Sequence, residues 1–155
     1  MTMPKPDTFR DTDDEARALA KALIAEARFG ALGVLLDGAP FVTRVALAPE
    51  GAQMTTLVSD LAPHTGALRQ NPRASLMIGE PGKGDPLAHP RMTLQVEAVF
   101  REKTEAAVKA YLDAQPKAQL YIGFGDFHFV DLQIAEAWLN GGFGKAYRMV
   151  PDDLL

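Results

Sequence analysis

Leu57-Val58-Ser59-Asp60-Leu61-Ala62-Pro63-His64-Thr65-Gly66-Ala67-Leu68-Arg69-Gln70-Asn71-Pro72-Arg73-Ala74-Ser75-Leu76 reads as the end of a strand, a short loop, one or two turns of helix and the start of another strand. The chemistry is crowded into the loop. Ser59, His64 and Thr65 can each donate a hydrogen bond, and a helix start carries free backbone N–H groups. Hydroxyls and an imidazole around a helix N-terminus suit an anion, above all a phosphate. The same residue types are also ordinary helix caps, and Pro63 fits the first helical turn, where its missing N–H is not needed.

The chain of 155 residues is long enough for one domain with a sizeable core. With 47% hydrophobic and 23% charged residues it has a globular rather than a disordered composition. A net charge of -4 leaves no basic surplus to neutralise a nucleic-acid backbone. Cysteine is absent, so there is no disulfide framework and no thiolate metal site. Met1 to Asp14 is polar and acidic, with no apolar core like that of a signal peptide. No apolar run is long enough to span a bilayer. A cytoplasmic location is the expectation.

Around the opening stretch, apolar spacing from Ala16 to Ala27 gives a helix to about Arg28, with a capping box at Thr12–Glu15 and Gly30 as its stop. Ala31 to Leu36 and Pro40 to Ala48 read as strands joined by an Asp37-Gly38 hairpin turn. Pro49-Glu50-Gly51 reads as a turn, and Gln53 to Ser59 as the third strand. Arg73 to Ile78 and Arg91 to Arg101 follow as strands on either side of a Gly/Pro-rich loop. That loop lacks the frame of a P-loop. Thr104 caps a further helix that Pro116 ends, and Ala118 to Phe124 reads as a short helix or turn. Asp126 to Leu139 is the last strand, although Ala135-Glu136-Ala137-Trp138 has helical propensity and the alternation loosens at Asp131. Asn140 to Ala146 is a glycine-rich turn that is not a dinucleotide fingerprint. The expected fold is mainly β with helices: a six-stranded antiparallel split β-barrel.

The run Ser59-x-Leu61-Ala62-x-His64-Thr65, with Asn71-Pro72-Arg73-Ala74-Ser75-Leu76, Pro90 to Leu94, Asp126-Phe127 and Gly141-Gly142-Phe143-Gly144-x-Ala146, resembles the FMN-binding split-barrel superfamily. That superfamily includes pyridoxamine 5′-phosphate oxidase, and the resemblance is strongest to its HugZ/HutZ haem-utilisation branch. It implies a homodimer with FMN at the subunit interface. By the family pattern Thr43, Arg44, Val45 and Ala46 line the flavin, and Val58 and Ser59 lie near it. His64 and Thr65 mark the phosphate end, and Arg91 matches a flavin-contacting position. Gly142, Phe143 and Gly144 of the second subunit resemble the piece that closes the site.

The resemblance implies an FMN-dependent oxidoreductase acting on a small molecule, with no acid–base residue identified and no metal site. Its alternatives are a haem-binding or haem-degrading protein and a non-catalytic barrel module. The phosphate loop reads Pro63-His64-Thr65, without the second basic residue of the oxidases. The final residues, Met149 to Leu155, contain no histidine of the kind that longer haem-degrading members bring to iron. The histidines are His64, His89 in the Gly/Pro-rich loop, and His128, read as a core or interface residue.

Overall fold

The computed structural model describes residues 8–155; the N-terminal stretch read above for a leader falls partly in residues 1–7, outside the described residues. The first helix, α1, spans Asp14–Glu26. Its N-cap is Asp13 rather than Thr12: the Asp13 carboxylate accepts from the Ala16 amide at 2.8 Å. The Thr12 hydroxyl donates instead to the Arg148 carbonyl. The helix ends at Glu26, before Gly30, which lies inside the first strand.

The strands are β1 (Phe29–Leu36), β2 (Ala39–Ala46), β3 (Ala48–Glu50), β4 (Gln53–Ser59), β5 (Arg73–Ile78), β6 (Arg91–Arg101), β7 (Phe127–Asn140) and β8 (Ala146–Met149). The remaining helices are α2 (Pro63–Gln70) and α3 (Glu105–Ala114), with a 3-10 turn at Pro116–Leu120. Eight strands replace the expected six. The expected second strand breaks at Leu47 into β2 and β3, and β8 follows the glycine-rich turn. Pro49 and Glu50, read as turn, are strand residues.

The sheet is antiparallel throughout, in the order β2-β1-β5-β6-β7-β4-β3, with β8 paired to the C-terminal end of β7. The β1–β2 hairpin turns on Asp37 (φ 51°) and Gly38 (φ 81°). Both are left-handed, the geometry in which an Asp-Gly pair lets two right-twisted strands turn back on each other.

The sheet curls around Leu32, Leu76, Met92, Leu94, Leu132 and Leu139, all at most 1% exposed. Ala16, Ala20 and Ile24 of α1 and Ala67 and Leu68 of α2 pack into this core. A second cluster lies on the other face of β4 and β7, where Tyr111 of α3 and Phe129 stack with ring centroids 5.3 Å apart. The N-terminal half of β7 is therefore covered on both sides. This explains the loosened alternation: Asp131 is buried beneath Arg101, whose Nε donates to Oδ1 at 2.8 Å, and Thr55, whose hydroxyl donates at 2.7 Å. A buried carboxylate is tolerated only when it is paired and hydrogen-bonded in this way.

Leu47 is the single residue between β2 and β3, the two edge strands of the sheet. Its amide donates to the Arg28 carbonyl at 2.9 Å, and Gln115 Nε2 donates to both the Leu47 and Arg28 carbonyls. Gly30 sits beneath this crossing. A Cβ there would stand 2.8 Å from the Met77 carbonyl oxygen and 2.9 Å from Leu76 Cδ1. Because the first of these neighbours is backbone, Gly30→Ala has to displace a strand. The expected cost is about 2 kcal/mol, read as a lower urea midpoint at unchanged slope.

Candidate functional site

The β4–α2 loop is held from within. Thr65 is buried, and its hydroxyl donates to the Ser59 carbonyl at 2.5 Å. Ser59 Oγ accepts from the Leu61 amide at 3.2 Å. Ala62 is the N-cap of α2 and provides no side-chain cap. The Thr65 proton is thus spent inside the loop, whereas the Ser59 proton is free to reach a ligand. His64 is half-buried at the start of α2 and is the one histidine with no hydrogen-bond or ion-pair partner among the described residues. Burial holds its pKa below the ordinary value of 6.5. Its ring is therefore neutral at neutral pH, and any part it takes in an anion site is that of a neutral donor.

The other two histidines are engaged. His89 Nε2 lies 2.7 Å from the Lys83 carbonyl oxygen. His128 Nε2 lies 2.9 Å from Asp60 Oδ1, and Arg69 Nη2 approaches the same oxygen at 3.5 Å. The contact with His128, helped by Arg69, holds the Asp60 carboxyl below its usual range.

Strand alternation divides the four β2 residues expected to line a ligand. Val45 faces the core, with Thr43 half-buried on the same side, whereas Arg44 is exposed on the outer face with Val42. Ala46 shares the outer face and is half-buried. The Arg44 guanidinium stands 5.7 Å from the Phe29 ring centroid and makes no ion pair among the described residues. It lines a cavity of about 410 Å³ with Phe29, Leu23, Met77 and Pro81. Val45 and Val58 are core side chains, so only their backbone is open to a ligand. β2 comes to lie against β4, which brings the Arg44 strand beside the strand that leads into the loop.

Arg91, Gly142, Phe143 and Gly144 form a separate group. Arg91 pairs with Asn140 across the β6–β7 ladder, and its Nη1 donates to the carbonyls of Leu87 and His89. The turn at Gly142 lies against the Ala88 carbonyl and thrusts Phe143 out with 69% exposure. The chain thus presents two clusters rather than one closed pocket. Asp60 and Arg69 escape sequence reading because nothing local marks them: their partners come from β7 and from helix geometry.

This fold is the split β-barrel that the resemblance implies. Residues 11–154 match the model of the CREG, beta-barrel family, and the chain belongs to that family. A chloroplast heme oxygenase of Arabidopsis thaliana, HOZ, is 40% identical over a stretch covering 55% of this chain and 29% of its own. The solved structure of a heme binding protein from Mycobacterium smegmatis is 30% identical, covers 98% of this chain and 61% of its own, and superposes with a TM-score of 0.82. The chain therefore spans less than two thirds of the length of either. HutZ, the heme storage protein of Vibrio cholerae, shares the fold at 21% identity and a TM-score of 0.60, over 76% of this chain and 88% of its own. No helix among the described residues is long and apolar enough to cross a membrane.

The depressed His64 pKa has a stability consequence. In acid the unfolded chain takes up a proton that the folded chain resists, so stability is full above the ordinary imidazole pKa and falls as the pH drops below it. Between about pH 7 and pH 5 the native chain is expected to lose urea resistance that His64→Gln retains. Equal losses in both chains would show that His64 carries none of it.

Proposed function

We propose that this chain is a haem-binding split-barrel protein that works as a homodimer. The observation that carries the reading is His64. It is a neutral imidazole at the start of a helix, without a partner among the described residues and five residues beyond the end of β4, and Leu61 of the same loop is 87% exposed. A neutral ring nitrogen is the form that ligates iron, and an exposed apolar side chain next to it suits a flat apolar macrocycle. Two relatives at 30% identity or more, the chloroplast protein and the mycobacterial one, carry heme in their descriptions, which supports the same chemistry. Bound haem would supply redox and oxygen-binding chemistry at iron. His64 would hold the iron, and the loop staples Ser59–Leu61 and Thr65–Ser59 would fix its backbone.

The dimer is supported by the outer sheet face. Val42, Met77, Phe29 and Leu35 are between 43% and 68% exposed on the same side of β2, β1 and β5. Bare apolar area of this kind marks an interaction site. A second copy would bring Arg91 and the Phe143 turn to a cleft that one copy leaves open. Titrating the purified chain with haemin should give a saturable shift of the Soret band. His64→Ala should abolish the shift, and His89→Ala should leave it intact. A full shift in His64→Ala would overturn the assignment of the ligand.

Arg44 favours a second reading, FMN binding by an oxidoreductase. A free guanidinium beside an aromatic ring and a cavity of about 410 Å³ offers both an anion contact and an apolar wall. On this reading added FMN changes its absorbance and loses fluorescence on binding, and Arg44→Ala weakens binding at least tenfold, roughly what loss of a charge-assisted contact costs. An FMN spectrum unmoved by the native chain would dispose of it.

A further inference from the structure

We infer that Asp60 is the positioning residue of the β4–α2 loop, clamped between β7 and α2 so that His64 is presented in one place. The inference rests on the haem reading for the identity of the ligand but not for the clamp itself.

The loop's other side-chain bonds are internal. Ser59 Oγ holds Leu61, and Thr65 Oγ1 holds Ser59, so both stiffen the loop without fastening it to anything else. Asp60 reaches outward. Its amide donates to the Asp126 carbonyl at 2.8 Å, just before β7. Its Oδ1 lies 2.9 Å from His128 Nε2 on β7 and 3.5 Å from Arg69 Nη2 on α2. Arg69 is itself fixed, its guanidinium 4.2 Å from the ring centroid of Phe100 on β6. One carboxylate therefore ties the strand end to two other elements, and through Arg69 to a third. The helix that follows has no N-cap side chain, and in its first turn only Thr65 is buried and bonded back to the loop, so the outward side of that turn, which carries His64, takes its anchoring to neighbouring elements from Asp60. The C-terminal half of α2 needs no such help, since Ala67 and Leu68 are buried in the core. A loop braced from outside, here by one backbone hydrogen bond and two ion-pair contacts, is what precise ligand geometry requires.

Two readouts on the full chain test this. The first, amide hydrogen exchange, needs no ligand. Asp60→Asn should speed exchange of residues 61–66 about threefold, the scale of a half-exposed ion pair. Exchange in β5 and β6 should stay as it was. The second is haemin affinity, expected to fall by a similar factor in Asp60→Asn and in His128→Ala. His128→Gln keeps an N–H donor near the carboxylate and should restore both readouts, which a merely space-filling role for His128 would not allow. Unchanged loop exchange in Asp60→Asn overturns the clamp. Faster exchange with native haemin affinity overturns the positioning of His64. Faster exchange in a chain that binds no haemin even when native supports the clamp and overturns the haem reading instead.

Discussion

Strands at opposite edges of this sheet are joined by one residue. Leu47 alone separates β2 from β3, yet β2 and β3 lie at the two ends of a seven-strand path. A flat sheet cannot satisfy that link, because neighbouring strands stand about 4.8 Å apart and one residue spans less than 4 Å. The sheet has to curl until its edges meet. Much else follows from that closure. Gly30 has no room for a side chain, because β5 closes on it through the Met77 carbonyl and Leu76 while Leu47 presses from the crossing. Gln115 bonds the carbonyls on both sides of the crossing, so the helical insert after β6 doubles as a clasp for the barrel. The two apolar layers, one inside the curl and one beneath α3, exist because closing the barrel gives β4 and β7 two faces to cover.

The candidate site lies where that closure is incomplete. β2 rests against β4 without joining its ladder, and the loop carrying His64 springs from the end of β4. Side chains beside that gap stand at the surface, among them Arg44 and, partly, Ser59. Sites at such discontinuities gain access without disturbing the core. Here the core residues Val45 and Val58 alternate with the outward-facing Arg44 and Ser59, so packing and recognition share the same two strands.

Much of this was legible in the residues. The bounds of β5 and β6 follow directly from alternation, and Asp37-Gly38 announced its turn by residue type alone. β7 held as a strand against the helical propensity of Ala135 to Trp138, because pairing with β6 and β8 outweighs local preference there. What the sequence hid were the features created by long-range pairing. The break at Leu47 has no local marker, since Val45 to Ala48 is uniformly apolar. β8 was masked by the glycines before it. Arg44 could be placed on a strand but not on a face until the register with Ala31 was known. His128 reads from sequence as a core or interface residue, and only the meeting of β7 with the β4–α2 loop gives it Asp60 as a partner.

The seam beside β2 carries one further consequence, in backbone valences rather than side chains. β2 forms a ladder with β1 only, so along its other edge the peptide N–H and C=O groups of alternate residues find no strand. Main-chain groups away from bulk water must have partners. A molecule that settles between β2 and β4 and displaces water there therefore has to bring donors and acceptors spaced along its length. That condition admits an ordered file of water, or a planar molecule with a polar edge, and turns away anything uniformly greasy.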